Sequence, residues 1–402
     1  MTEDLERLRF TAAADVYKAG VLAGRIERRP DGSNVFRYLV EYLNRARDDE
    51  QPRSIATSLP VDDREVVTPG GALPPFFAGL LPEGHRLSVL QRAVKTSPSD
   101  ELSLLLAVGQ DVPGDAQVVV AGTAPADPAP LIGAVAPDAM DFVELVEGID
   151  RHAIPGVQRK ASASMISTPL ATREGRFILK VSPPEYPLLV QNEAAHLRAA
   201  KALKVPVERS TLVHDRNEVT GLLVERFDRV PRADGSWDRL ALEDATQVLA
   251  VPPASKYAIP AEEVVRSLAS VAPAPLVATR NLYLQFLFAW LTGNGDLHAK
   301  NLSVLETRPG TWTVAPIYDV LCTLVYDDTS MALPIDGRTR NLRARHWHAF
   351  AATIGLPERA ARSAEAVALK AAASVDLAAV GFEGSPLNGA LRELRLRRGE
   401  LA

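Results

Sequence analysis

The segment GNGDLHAKN at 293–301 sets an acid, Asp296, ahead of an amide, Asn301, with four residues between them. Two glycines and an asparagine give that stretch freedom for a tight turn, so its polar groups can be aimed at one point. A second acid, Asp319, arrives eighteen residues after Asn301, behind LSVLETRPGTWTVAPIYDV, whose two β-like runs flank a turn at Arg308-Pro309-Gly310. Phosphoryl transfer calls for such parts: a carboxylate to orient an acceptor hydroxyl, and an amide and a carboxylate to hold Mg²⁺ against phosphates. Asp296 fits the first role, and Asn301 and Asp319 the second. Oxygen donors of this kind suit Mg²⁺ or Mn²⁺. Val320 and Leu321 follow Asp319, where protein kinases carry Phe-Gly.

A cation for the nucleotide phosphates is supplied by Lys180, at the end of the alternating run RFILKV, with Glu193 in the next helical stretch as its ion-pair partner. Lys300 reads as a contact to the transferring phosphate, and His298 either packs against the loop or touches phosphate. IPGVQRKAS at 154–162 offers one glycine and two basic residues as a phosphate cover; it is neither a Walker A loop nor a protein-kinase glycine loop. Each residue alone has a structural reading, as a cap, an exposed lysine or a solvated helix acid. Their order, spacing and predicted elements agree jointly.

The elements that must position these groups are legible as blocks. VYKAGVLAGRIERRPDGSNVFRYLVEYL reads as a meander turning at RPDGSN, and PPFFAGLLPEGHRLSVLQRAV and SPSDELSLLLAVG as helices, the second opening on N-cap residues. AGTAPADPAPLIGAVAPD at 121–138 is Ala- and Pro-rich and nearly uncharged, as a linker is. Strand, helix and hairpin follow: RFILKV with Phe177 and Leu179 on one face and Ile178 and Lys180 on the other, QNEAAHLRAAKALKV, and STLVHDRNEVTGLLVERF turning at Asp215–Asn217. Beyond 230 the chain turns helical, through LALEDATQVLA, IPAEEVVRSLASV, the apolar run before Gly293, and AARSAEAVALKAAASV. We expect an α+β protein with an N-terminal α/β subdomain over 1–122, a lobe over 123–229 carrying phosphate loop and hinge, and a helical lobe over 230–402 carrying the catalytic loop. No repeat of 20–50 residues is visible.

With 402 residues, 47% hydrophobic and 24% charged, the composition is that of a globular protein of two or three domains. A net charge of −5 excludes a global positive field drawing it to nucleic acid or anionic membrane. The basic run LRELRLRRGE at 391–400 reads as the solvated face of a helix. One cysteine, Cys322, builds neither an intrachain disulfide nor a cysteine zinc site, which fits a reducing compartment. The start lacks a secretory pattern, and the longest apolar run falls short of a membrane span, so a cytoplasmic protein is expected.

Together FFAGLLPEG (76–84), GVQRK (156–160), NE (192–193), VERFDR (224–229), LEDATQVLAVPPASKY (242–257), GNGDLHAKN and PIYDV (316–320) resemble the HipA-like serine/threonine kinases, toxins of bacterial toxin–antitoxin pairs. The resemblance implies a two-lobed protein-kinase-like body behind a family-specific N-terminal domain, with ATP and Mg²⁺ as cofactors. It implies Asp296 as catalytic base, Asn301 and Asp319 as Mg²⁺ ligands and Lys180 on the ATP phosphates. Gly156, Val157, Gln158 and Lys160 would cover those phosphates, Glu225 and Phe227 would form the adenine hinge, and Asp228 would lie near the ribose. The implied partners are a small helix-turn-helix antitoxin of HipB type, operator DNA through that antitoxin, and a protein substrate such as an aminoacyl-tRNA synthetase. Many members carry an autophosphorylated serine ahead of the phosphate loop. Here Ala153 stands in its place, and Ser162 and Ser164 follow the loop. Two other readings are a small-molecule phosphotransferase, since GDLHAKN is close to the loop of aminoglycoside and choline kinase-type enzymes, and a silent subunit of an antitoxin–DNA complex.

Overall fold

The computed structural model describes residues 5–45, 53–126, 137–142, 165–171 and 175–402. The chain divides into two compact units: residues 1–129, 228–254 and 305–311 form the first, and the remainder the second. The stretches 228–254 and 305–311 thus cluster with the N-terminal segment, although in sequence they lie within or beside the expected lobes.

In the first unit, strands β1 (Ala13–Lys18), β2 (Val21–Arg28), β3 (Asn34–Tyr38), β4 (Val66–Thr68) and β5 (Ala116–Val120) form an antiparallel sheet in the order β4-β3-β2-β1-β5. The expected turn at RPDGSN joins β2 to β3. Helices α1 (Gly84–Val94) and α2 (Glu101–Val108) lie between β4 and β5, and Asp100 caps α2 by accepting the Ser103 N–H. Val16, Ile26, Phe36, Phe77, Leu102, Leu105 and Val118 share one apolar core. LALEDATQVLA departs from the expected helix. Leu242–Asp244 is a strand, and only Ala245–Val248 is helical, begun by a capping box between Asp244 and Gln247.

The second unit opens on an antiparallel sheet of β6 (Ile166–Ala171), β7 (Arg176–Val181), β8 (Ser210–His214) and β9 (Thr220–Glu225), in the order β6-β7-β9-β8. The alternation in RFILKV holds: Leu179 and Val181 enter a core with Phe142 and Leu170, with Phe177 packed against it, while Lys180 lies on the other face. Helix α3 (Leu189–Ala200) connects β7 to β8 and buries Leu189, Asn192, Glu193 and His196. The helical part is built on α4 (Ala261–Val271), α5 (Pro275–Thr292), α6 (Glu358–Ala373) and α7 (Gly384–Gly399). Helix α5 is buried from Leu282 to Thr292 without a break, so its apolar composition all round serves a central position. Among the described residues no helix is long and apolar enough to cross a membrane.

The basic run in α7 corrects the expectation of a wholly solvated face. Arg392 and Arg395 are exposed, but Arg397 is buried and donates to the carbonyls of Trp290 (3.1 Å) and Thr329 (2.8 Å). Arg398 donates to Leu291 (3.2 Å) and Ala372 (2.9 Å). Guanidinium groups at the carbonyl end of a helix meet both its unpaired acceptors and its negative dipole end.

Candidate active site

The loop of 293–301 begins where α5 stops. Gly293 adopts φ 78°, and a Cβ there would fall 2.5 Å from Leu324 and 3.0 Å from the Cys322 sulfur, so both conformation and space call for glycine. The Asn294 N–H reaches back to the Ala289 carbonyl at 2.7 Å, closing the helix end. The Asn294 side chain then accepts the Asp296 N–H at 2.8 Å. Asn301 donates through Nδ2 to the Asp296 carbonyl at 3.0 Å, which folds the loop back so that the acid and the amide meet.

From Asn301 the contacts run outward. Its Nδ2 also donates to Asp319 Oδ2 at 2.9 Å. The other oxygen, Asp319 Oδ1, lies 3.4 Å from Lys180 Nζ, which is 2.6 Å from Glu193 Oε1. Asp319 has a left-handed backbone, φ 52°, tolerated better by Asp than by most residues. The predicted hairpin leads into it, with strands Ser303–Arg308 and Thr311–Val314 on either side of the turn. Lys180, Glu193, Asn301, Asp319 and Asp296 therefore form one connected constellation inside the second unit. Lys180 and Glu193 have 11% and 0% of their side chains exposed and Asp319 has 27%, so the cluster opens at the acid.

Its electrostatics follow from packing one lysine among several carboxylates. Burial on its own would lower Lys180, but Glu193, Asp319 and Glu208 outweigh it and hold the ammonium protonated. Burial likewise opposes the charged form of Asp319, and the nearby Lys180 and His298, with hydrogen bonds from Lys180 and Asn301, hold it below the usual carboxylate range. Burial raises Glu193 against the pull of Lys180. Glu208 is pushed up to about 8 by burial, with the charges of Glu193 and Asp319 adding to it. It enters the cluster where Val207 and Ile317 form a parallel bridge and the Glu208 N–H bonds the Ile317 carbonyl at 3.0 Å.

Two groups beside Asp296 complete the site. The Tyr257 hydroxyl donates to Asp296 Oδ1 at 2.9 Å, and its ring stands edge-on to His298 with centroids 5.1 Å apart. His298 Nε2 is 4.0 Å from Asp296 Oδ2, so this histidine packs in the loop beside the acid. Lys300 is half-buried, and its carbonyl accepts the Tyr318 hydroxyl at 2.7 Å. Glu225 ends β9 with an exposed side chain, and the Phe227 ring lies 5.8 Å from that of Tyr318. Asp228 is committed elsewhere: its carboxylate accepts the Gly114 N–H at 2.8 Å and pairs with Arg229 at 2.7 Å, a buried arrangement within the first unit. A carboxylate so engaged holds main chain and guanidinium together. Ala153, Gly156, Val157, Gln158, Lys160, Ser162 and Ser164 lie outside the described residues.

Tyr257 and Glu208 carry no motif of their own. Tyr257 closes the segment LEDATQVLAVPPASKY, which is the one signal that could have singled it out. Among the described residues no group of three or more His, Cys, Asp and Glu side chains could hold a metal. The site instead offers one carboxylate and one amide oxygen, from Asp319 and Asn301. That donor set fits Mg²⁺, which keeps several waters and takes its remaining ligands from phosphates.

Residues 152–375 match the HipA-like C-terminal domain and residues 14–119 the HipA N-terminal domain. The kinase candidate Y4mE of Sinorhizobium fredii is 31% identical over 376 residues, 85% of this chain and 86% of its own. The serine/threonine-protein kinase toxin HipA of Shewanella oneidensis is 29% identical over 313 residues, 70% of this chain and 71% of its own. Among solved structures, the HipA, HipB and operator DNA complex of Shewanella oneidensis aligns with a TM-score of 0.76 at 20% identity, covering 96% of both chains, which shows the shared fold. On the two domain matches and the extent of these similarities, the chain belongs to the HipA family.

Proposed function

We propose that this protein is an ATP- and Mg²⁺-dependent serine/threonine protein kinase that works as the toxin of a toxin–antitoxin pair. The observation that carries the reading is the single chain of contacts from Glu193 through Lys180, Asp319 and Asn301 to the loop of Asp296. Lys180, kept charged among the acids, would bind the α- and β-phosphates. Asp319 and the amide oxygen of Asn301 would hold Mg²⁺, which when bound neutralises phosphate charge. Asp296, its rotamer fixed by Tyr257, would orient the acceptor hydroxyl and receive its proton as the new O–P bond forms and ADP leaves. Glu225 and Phe227 would form the adenine hinge, the loop of Gly156, Val157, Gln158 and Lys160 would cover the phosphates, and Lys300 would contact the transferring group.

Kinship with the Shewanella oneidensis toxin supports the toxin role, and the partners in its complex support a small HipB-type antitoxin that carries the operator DNA contact. A cytoplasmic acceptor follows, a translation protein such as an aminoacyl-tRNA synthetase being the class to test first. Wild type and Asp296→Asn are to be incubated with γ-labelled Mg·ATP in a bacterial lysate. We expect a labelled protein band with wild type and a loss of about 10²–10⁴ in the variant, with nucleotide binding retained. Equal labelling by the two proteins, or label found only in small molecules, would overturn the reading.

A further inference from the structure

Asn192 stands next to Glu193 on α3, fully buried, and has no part in the chemistry outlined above. Its Oδ1 accepts the Cys322 N–H at 3.0 Å, and its Nδ2 donates to the Cys322 carbonyl at 2.9 Å. One side-chain amide thus engages both main-chain groups of a residue, as a neighbouring β-strand would. Buried main-chain groups need such partners. The residues on either side are gripped as well. Leu321 packs on Leu189, three positions before Asn192 on the same helix. The Thr323 N–H donates to the Gly293 carbonyl at 2.8 Å, and Thr323 Oγ1 accepts the Gly295 N–H at 2.8 Å. Three successive residues downstream of Asp319 therefore touch first α3 and then the loop of Asp296.

We infer that Asn192 is a positioning residue of the phosphoryl-transfer site, locking the stretch from Asp319 to Thr323 against α3 so that the Glu193–Lys180 pair and the Asp319 carboxylate hold their spacing. The inference rests on reading this site as a phosphotransferase. Glu193 reaches Lys180 from the helix residue next to Asn192, and Asp319 reaches the same ammonium from three residues before Cys322. The amide between Asn192 and Cys322 is the polar tie that joins those two approaches. A buried asparagine that only satisfied main-chain groups would affect stability without altering how Mg²⁺ and nucleotide engage the site.

The test uses the full chain as wild type, Asn192→Asp, Asn192→Ala and Val264→Ala. The aspartate keeps the acceptor for the Cys322 N–H but sets a carboxylate oxygen against the Cys322 carbonyl. Val264, buried on α4, supplies a core truncation outside these contacts. Because Cys322 is the chain's one cysteine and is buried, its reaction with a thiol reagent reports the opening of this stretch. Each variant is labelled at the same interval below its own melting temperature, with and without Mg·ADP. Both Asn192 variants are expected to label about tenfold faster than Val264→Ala, and Mg·ADP to slow labelling in wild type but little in them. Transfer should show a Mg²⁺ half-saturation raised about tenfold and a lower kcat in the Asn192 variants, both unchanged in Val264→Ala. Labelling and Mg²⁺ dependence that match Val264→Ala would overturn the inference. Wild type that transfers no phosphate would sink the kinase reading instead, and the labelling comparison would still decide the role of Asn192.

Discussion

Each unit buries a strand lysine among carboxylates, and the two settings differ in which charge meets solvent. In the first, Lys18 on β1 pairs with Asp115 at 2.7 Å and donates to the Ile55 carbonyl at 3.2 Å, while Arg53 spans Asp115 and Glu306. Lys18 and Asp115 are 3% and 2% exposed, their charges both act on the buried Glu243, and Arg53 is the exposed member at 31%. In the second, Lys180 faces Glu193, Asp319 and Glu208, and Asp319 is the exposed member at 27%. The first network meets solvent at a cation, Arg53, while Asp115 and Glu306 are 2% and 7% exposed, which suits a structural joint. The second meets solvent at an acid, Asp319, which suits a site completed by a bound cation and phosphates. A buried lysine–carboxylate pair is therefore uninformative until the charge at its opening is known.

Exchanging each lysine for methionine tests that contrast. Lys18→Met leaves Asp115 buried beside a single guanidinium and should cost about 3–5 kcal/mol of stability, read from urea unfolding. Lys180→Met should lower phosphate transfer by about 10²–10³ with a smaller loss of stability. Glu193 and Glu208 can hold protons where they sit, and Asp319 can hydrate. Equal stability losses would break the distinction between a structural and a functional cluster. Tyr257→Phe keeps the ring against His298 but removes the bond to Asp296. It should reduce kcat about tenfold or somewhat more, with little change in the nucleotide KM, since a hydrogen bond to a charged group contributes about 1.5–3 kcal/mol.

The smallest effect concerns Glu243 in the first unit, whose carboxylate accepts the Thr57 N–H and hydroxyl at 2.8 and 2.6 Å. Burial lifts it from 4.5 to about 7, against the lowering by Thr57. The folded state then binds the proton more tightly than the unfolded chain, so this contribution is full below about pH 4.5 and fades as pH rises through about 7. Glu243→Gln should remove a fall of a few degrees in melting midpoint between about pH 5 and about pH 8. A wild-type midpoint that rises over that interval, or a slope the variant leaves unchanged, would count against this assignment.

Local pattern made much of this legible. The alternation in RFILKV turned Lys180 away from the core, the Asp-x₄-Asn spacing folded Asn301 back onto Asp296, and the turn at Arg308-Pro309-Gly310 brought Asp319 round to them. Groups brought in by contact between distant segments left no such trace. Glu208 joins through a bridge between Val207 and Ile317, Asn192 through a bond to a residue 130 positions away, and Tyr257 from 39 positions before Asp296. The motif NE marked Asn192 as notable without saying what it held. The contacts of Asp228 were hidden for the same reason: its place in VERFDR says nothing of Gly114, a residue 114 positions away. Arg397 and Arg398 read as solvent-facing because nothing in a charge run reveals a helix end to cap.

Those two arginines bear on the order in which the site can be completed during synthesis. The carbonyls of Trp290 and Leu291, at the end of the helix that delivers Asp296, receive donors located 107 residues further on. At about 5–20 residues per second, a ribosome needs roughly 5–20 s to travel that distance. Within that interval Asp296, Asn301 and Asp319 join Lys180 and Glu193 in the emerging chain, while α5 still lacks its finishing contacts. Completion of the site is thus expected to lag well behind the appearance of the residues proposed for phosphate transfer.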